Sequence, residues 1–211
     1  MNKGYFITFE GGEACGKSTQ IAKLKNLIEN SKYKDQFIFV KDPGQSPLGE
    51  DIRKILLFTK TQPEVLSELF LYLASRVELV KKIILPALNQ GKVVISDRFY
   101  DSTGAYQGFA RNILPIEEIK HLADLSTCGV KPNLTFYMKL SPKEAFKRKG
   151  DMQLDRIELE GDQFHENVKK GYDYLAEHNK ERFFVIDASK SIDSIFEEIK
   201  TQLNNKLNIK L

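Results

Sequence analysis

Short runs rich in Val, Ile, Phe and Tyr alternate along the chain with longer stretches in which apolar residues recur at helical spacing. That rhythm predicts βαβ units wound around a parallel sheet, with helices covering both of its faces. Residues 5–10, 37–41, 93–96, 134–140 and 183–187 are the strand candidates. Residues 102–110 and 115–126 read as helices. Residues 64–89 read as one extended helix, stopped by Gly91 and kinked at Pro86, which has no N–H to give to the preceding turn. Near the C-terminus Ile195, Ile199, Leu203 and Leu207 mark the buried face of a last helix. Residues 147–162 lack apolar periodicity and separate two helical patterns, so they read as an exposed segment able to cover a site. No fixed-period repeat interrupts the pattern, and one α/β domain over residues 1–211 is expected.

Composition narrows the function classes. With 41% hydrophobic and 29% charged residues of both signs, the 211-residue chain reads as ordered and globular rather than disordered or fibrous. A net charge of +3 is too mild to imply a nucleic-acid partner. The two cysteines, Cys15 and Cys128, make no disulfide framework and suit a reducing compartment. The first residues enter a strand pattern without the apolar core of a signal peptide, and the longest apolar stretch, 69–74, is too short to span a bilayer. A cytoplasmic protein with neither a membrane nor a nucleic-acid partner is expected. His121, His165 and His178 stand apart without metal-ligand spacing and are expected at the surface.

The sharpest motif follows the first strand. Gly11-Gly12-Glu13-Ala14-Cys15-Gly16-Lys17-Ser18, with Thr19 next and a helical pattern after it, is GxxxxGKS in the strand-to-helix context it requires. Glycines let backbone N–H groups converge on phosphate oxygens, the helix N-terminus adds positive potential, and Lys17 can reach the β and γ phosphates. Ser18 is placed to hold Mg2+. A glycine-rich turn with a chance lysine is the bland alternative, and the flanking strand and helix disfavour it. Cys15 reads as filling space beneath the loop rather than as a nucleophile. The loop predicts ATP binding and leaves the reaction open.

A second strand run ends in Asp97 and Arg98, at the edge where open α/β sheets bind ligands. Asp97 suits a place near Mg2+, and Arg98 can clamp a phosphate through two N–H groups. Alone, the pair would read as an ion pair capping a strand; beside a phosphate loop, the ligand reading is favoured. A GTPase is disfavoured because no guanine-reading NKxD occurs, and the DxxG match at 101–104 is too loose to count.

Three further segments carry a family resemblance. Asp97-Arg98-Phe99-Tyr100-Asp101-Ser102-Thr103-Gly104-Ala105-Tyr106-Gln107-Gly108 resembles the DRYxxSxxAYQG segment of thymidylate kinases. Asp42-Pro43-Gly44 is similar to that family's acidic-Pro-Gly motif after the second strand, and Leu154-Asp155-Arg156-Ile157-Glu158 to the end of its lid. The resemblance is to bacterial-type members of the P-loop nucleoside monophosphate kinases. It implies a three-layer α/β/α P-loop fold with a five-stranded parallel sheet, a short lid over about residues 147–162, and a homodimer joined through helices. It also implies phosphorylation of dTMP to dTDP by ATP, with Mg2+.

The resemblance assigns roles as well. Glu13 falls where the family has an acid near the dTMP sugar and phosphate, and Arg98 where it binds the dTMP phosphate. Asp42 lies near the phosphate junction. Arg76 matches the arginine that hydrogen-bonds thymine, and Tyr72, one turn earlier, stands where a stacking Phe is usual. Arginine only donates, so Arg76 suits the O4 acceptor of thymine and opposes the amine of cytosine. Tyr106 is implied beneath the sugar, with Ser102 and Gln107 also on the substrate side. Core packing is the other reading of Tyr72, and a solvated face that of Arg53, which otherwise neutralises phosphate charge. Ala14 stands where some relatives carry an arginine, so a lid cation must serve the transferring group. Lys147, Arg148, Lys149 and Arg156 are available, and Arg148 joins Lys17, Arg98 and Glu13 as the catalytic candidates, with Lys149 as its rival. Asp155 and Glu158 read either as neighbours of the acceptor or as surface ion pairs. A deoxynucleoside kinase and a nucleotide-dependent switch are the competing classes. Arg98, the Ala105-Tyr106-Gln107-Gly108 run and the lid-end motif together stand against both.

Overall fold

Within β1 (Tyr5–Glu10), Ile7 and Phe9 face one side of the sheet and Phe6 the other, and all three are fully buried. A strand covered on both faces needs apolar side chains in both registers, which explains a near-continuous apolar run in place of clean alternation. The computed structural model describes residues 4–59, 62–149 and 155–211. β1, β2 (Phe37–Lys41), β3 (Val93–Asp97), β4 (Leu134–Lys139) and β5 (Phe183–Asp187) form one all-parallel sheet in the order β2-β3-β1-β4-β5.

One layer packs α1 (Lys17–Glu29) and α9 (Ile192–Leu207) on the sheet through Leu24, Ile28, Ile195, Ile199 and Leu203. On the opposite face, α3 (Val65–Leu79) and α4 (Leu85–Asn89) bury Leu79 and Ala87 against Phe6 and Val94. On that side too, α8 (Asp162–His178) stacks Tyr172 on Tyr137 of β4, with ring centroids 5.4 Å apart. The remaining described helices are α2 (Pro47–Phe58), α5 (Tyr100–Thr103), α6 (Ile116–Ser126) and α7 (Pro142–Lys149). No helix among the described residues is long and apolar enough to cross a membrane.

The expected strands appear with small changes: β3 runs one residue further, to Asp97, and β4 stops at Lys139. The long helix over 64–89 forms, and Pro86 is absorbed without a break. A widened turn over Val80–Ile84, in which Leu85 N–H donates to Val80 O, precedes the proline. The helix expected over 102–110 begins two residues earlier and widens in the same way over Gly104–Ala110, where Arg111 N–H reaches Tyr106 O at 2.8 Å. Close packing of α8 against this stretch depends on Gly171, where a Cβ would lie 2.8 Å from Ala105 Cα. Of the segment expected to be irregular over 147–162, the first residues extend α7 and the last opens α8; 150–154 lie outside the described residues.

His165 corrects the expectation of a surface residue. It is buried between the rings of Phe146 and Phe164, because it shares the apolar face of α8 with Val168, Tyr172 and Leu175. His121 and His178 are exposed as expected.

Candidate active site

The loop from Gly11 to Gly16 is shaped by positive φ at Gly11 (142°), Ala14 (50°) and Gly16 (94°). Gly11 admits no side chain, since a Cβ would stand 2.6 Å from Met138 O on β4. Gly16 caps α1 in a left-handed conformation, so the first N–H groups of a 13-residue helix are aimed at the loop's concavity. Lys17 lies folded over the loop, its Nζ donating to Gly12 O at 2.7 Å and Gly11 O at 3.1 Å. Ser18 Oγ donates to Asp97 Oδ2 at 3.2 Å, which joins the start of α1 to the end of β3. Cys15 is buried under the loop, as its space-filling reading expects.

One residue beyond β3, Arg98 adopts a left-handed φ of 69°, an uncommon conformation for a non-glycine residue. The turn is held at both backbone ends: Arg98 N–H donates to Phe9 O at 3.0 Å, and Ser96 Oγ donates to Arg98 O at 2.6 Å. It throws the guanidinium back over the sheet edge. There Nη1 donates to Gly11 O at 2.8 Å and Tyr172 Oη at 3.0 Å, and Nη2 to Glu13 Oε1 at 2.7 Å. The guanidinium carbon stands 5.0 Å from the centre of the Tyr106 ring, whose hydroxyl donates to the same Glu13 oxygen at 2.6 Å. Burial opposes the charge of Arg98, and Glu13, Tyr106, Tyr172 and Asp97 together outweigh it, holding the pKa well above the ordinary arginine value.

Beneath Arg98 sits Glu10, fully buried at the end of β1. Its carboxylate accepts from Phe99 N–H at 2.8 Å, Ser102 Oγ at 2.7 Å and Tyr172 Oη at 2.8 Å. Burial, reinforced by the charge of Asp101, pushes its pKa up to about 7 against the pull of Arg98.

These elements enclose a cavity of about 790 Å3. From the loop, Glu13 through Thr19 line it; Gly11 and Gly12 lie behind and contribute the carbonyls that hold Lys17. Asp42, Arg53, Tyr72, Arg76, Asp97, Arg98, Ser102, Tyr106, Gln107 and Arg148 all line the same cavity. Arg148 is exposed on α7; Lys147, also exposed, does not line it.

Arg76 is more committed to the protein than its sequence context suggests. Its Nε donates to Asp42 Oδ2 at 2.6 Å, Nη1 to Thr103 Oγ1 at 2.9 Å and Ser126 Oγ at 3.3 Å, and Nη2 to Phe99 O at 3.4 Å. A guanidinium has five N–H donors, so one on Nη2 is left over. The other oxygen of Asp42 is buried without a partner among the described residues. Burial raises the Asp42 pKa while Arg76 draws it down.

Asp155 and Glu158 both line the cavity and are joined in a capping box: Asp155 Oδ1 accepts from Ile157 N–H and Glu158 N–H, and Glu158 Oε2 accepts from Asp155 N–H. Arg156 points away from the loop, donating to Leu56 O at 2.9 Å and pairing with Glu68. Glu68, fully buried, also receives Arg111 and Gln107.

Sequence reasoning missed Glu10, Lys41, Glu68, Thr103 and Tyr172. Glu10 carried a signal: it is a carboxylate closing a strand buried on both faces. Thr103 lies inside the quoted motif, whereas nothing local marks Tyr172 or Glu68, whose partners are distant in sequence.

Residues 9–199 match the family model described as Thymidylate kinase. A thymidylate kinase of Prochlorococcus marinus (strain MIT 9301) is 45% identical over 215 residues, covering 99% of this chain and 100% of that protein. One from Thermoanaerobacter sp. (strain X514) is 39% identical over 197 residues, covering 93% and 96%. The crystal structure of thymidylate kinase from Ehrlichia chaffeensis superposes with a TM-score of 0.75 at 32% identity, covering 95% of this chain and 99% of that one. With the phosphate loop, the strained Arg98 turn and the shared cavity already in place, these matches over nearly the whole length show that the chain belongs to the thymidylate kinase family.

Proposed function

We infer that this protein transfers the γ-phosphate of ATP to the phosphate of dTMP, giving dTDP and ADP. The observation that carries the reading is the single cavity holding both a phosphate loop and Arg98, so that a donor and an acceptor phosphate share one space. An oxygen of the dTMP phosphate attacks the γ-phosphorus in line, and no covalent enzyme intermediate forms. The transition state spreads charge over the moving phosphoryl group, so positioning and cationic neutralisation supply the catalysis. Triphosphate oxygens are stronger acceptors for Lys17 than the loop carbonyls it rests on. Arg98, aligned by Glu13, holds the acceptor phosphate. Arg148, at the end of α7 and within the lid expected over about residues 147–162, supplies the further cation that Ala14 does not, and closure of that lid keeps water from the donor.

The oxygens of Ser18 and Asp97 fit a hard cation such as Mg2+, which takes its other ligands from water and substrate phosphates. When bound, Mg2+ neutralises charge on the β and γ phosphates. Tyr72 stacks on the base, the free Nη2 hydrogen of Arg76 meets thymine O4, and the Tyr106 ring closes the space a ribose 2′-hydroxyl would need. Asp42 holds Arg76 for that contact, and Arg53, Ser102 and Gln107 complete the substrate side. The chain works as one domain, as a homodimer and in the cytoplasm, where its two free thiols persist.

The test is ADP release from Mg-ATP with dTMP, dUMP, dCMP, UMP, AMP, thymidine or no acceptor. Selective turnover with dTMP is expected. Turnover with thymidine alone, or ADP release that ignores the acceptor, would overturn the reading.

A further inference from the structure

The eight-residue helix α7 carries Arg148 in its last turn and meets α8 through Phe146, whose ring stands edge to face with that of His165 at 5.1 Å between centroids. His165 in turn stands edge to face with Phe164 at 5.4 Å, and Phe164 with Tyr106 at 6.1 Å. Each pair lies within the roughly 4.5–7 Å over which aromatic rings attract. Tyr106 is the ring beneath the Arg98 guanidinium, and its hydroxyl donates to Glu13. Four rings therefore run from the helix of the lid cation to the clamp on the acceptor phosphate.

Stability does not explain a histidine at this junction. Its Nε2 is buried and has no partner among the described residues. An apolar side chain of similar size would bury as much carbon without stranding a nitrogen, which is a cost to the fold. The surroundings are also not fully packed. A second cavity, of about 20 Å3, is lined by Gly12, Glu13 and Ala14 of the phosphate loop and by Ala145, Phe146 and His165. The Phe146 and His165 rings can shift into that space without overpacking the core.

We propose that His165 is a positioning residue that couples Arg148 to the acceptor pocket. An acceptor that fixes Arg98 and Tyr106 fixes, through Phe164 and His165, the ring on which α7 rests, and so brings Arg148 to the transferring phosphoryl group. The inference rests on dTMP being the acceptor and Arg148 the lid cation. By linkage, dTMP and ATP then raise each other's affinity by one common factor. A line of contacts is a route for coupling, and the coupling itself is a free energy that titration measures.

The test is calorimetric titration of wild type, His165→Leu, His165→Phe and Phe146→Leu with a non-hydrolysable ATP analogue, with and without saturating dTMP, alongside kcat and both KM values. In wild type, dTMP should tighten the analogue about fivefold or more. His165→Leu fills the space without a ring. It should abolish that gain and lower kcat roughly tenfold, while the affinity for either ligand alone stays within about twofold and the urea midpoint does not fall. His165→Phe restores the ring and should recover both the gain and kcat. Phe146→Leu should repeat the losses of His165→Leu, and in an Arg148→Met background His165→Leu should lower kcat no further. Mutual tightening that survives in His165→Leu or Phe146→Leu, losses that His165→Phe does not repair, or losses matched by a lower urea midpoint would each overturn the proposal. A wild type that turns over dTMP without mutual tightening would overturn it and leave the function reading standing, whereas one that binds no dTMP would remove both.

Discussion

At the scale of single residues, the site depends on groups whose charge state is set by burial. Glu10 shows how this reaches the stability of the whole chain. Its folded-state pKa of about 7 exceeds the ordinary carboxylate value near 4.5 because burial penalises the charged form. The folded protein therefore holds this proton more tightly than the unfolded chain does. The corresponding stability is full below pH 4.5 and is lost as pH rises through about 7, a difference of at most about 3 kcal/mol. Glu10→Gln keeps an acceptor for Phe99 N–H and has no proton to lose. Urea midpoints measured from pH 5 to 8 should fall more steeply for wild type than for Glu10→Gln, and parallel slopes would refute the raised pKa. Because Ser102 and Tyr172 bridge Glu10 to Arg98, the variant should also loosen the guanidinium and raise KM for dTMP.

At the scale of elements, the turn over residues 155–160 is fastened by one buried carboxylate. Glu68 of α3 meets Arg111, which follows the widened turn over Gly104–Ala110, and Arg156 in the capping-box turn; Arg111 also pairs with Glu160 at 2.6 Å. Removing Glu68 takes the buried carboxylate from Arg156 and leaves Arg111 with Glu160 alone, a loss of roughly 3–5 kcal/mol. Glu68→Ala should show that loss in chemical denaturation, and a change below about 1 kcal/mol would mean that Gln107 and water replace the carboxylate. Such a network explains what sequence could show. The phosphate loop and Asp97-Arg98 are legible because ligand geometry imposes their spacing within a few residues, whereas the lid-end motif is legible through resemblance alone. The five strands are legible because both-face burial demands apolar runs. Glu68 and Arg156 stand 88 positions apart and Tyr172 and Glu10 162, so the pairing exists only after the helices pack. His165 fails for a related reason: its burial follows from the α8 stripe it shares, while its residue type suggests exposure.

At the scale of the molecule, α3 faces two ways. Tyr72 and Arg76 line the cavity on one side, while Leu66, Phe70 and Val77, spaced onto another face, are 41%, 52% and 37% exposed. An apolar stripe left open beside polar surroundings marks an association surface, and a second copy of this chain is the partner the homodimer reading supplies. Sedimentation of the wild type should give twice the chain mass. Phe70→Asp, which puts a charge into that apolar stripe on each copy, should give a monomer with an unchanged helical spectrum. The expected functional consequence is specific, because the helix that would carry the interface also carries Tyr72 and Arg76, the residues proposed to hold the base. Loss of the partner should raise KM for dTMP several-fold and leave KM for ATP nearly unchanged, since Lys17 and Ser18 lie on α1, on the opposite face of the sheet. A wild type that sediments as a monomer would refute the homodimer, and a Phe70→Asp monomer with both KM values unchanged would refute the coupling through α3.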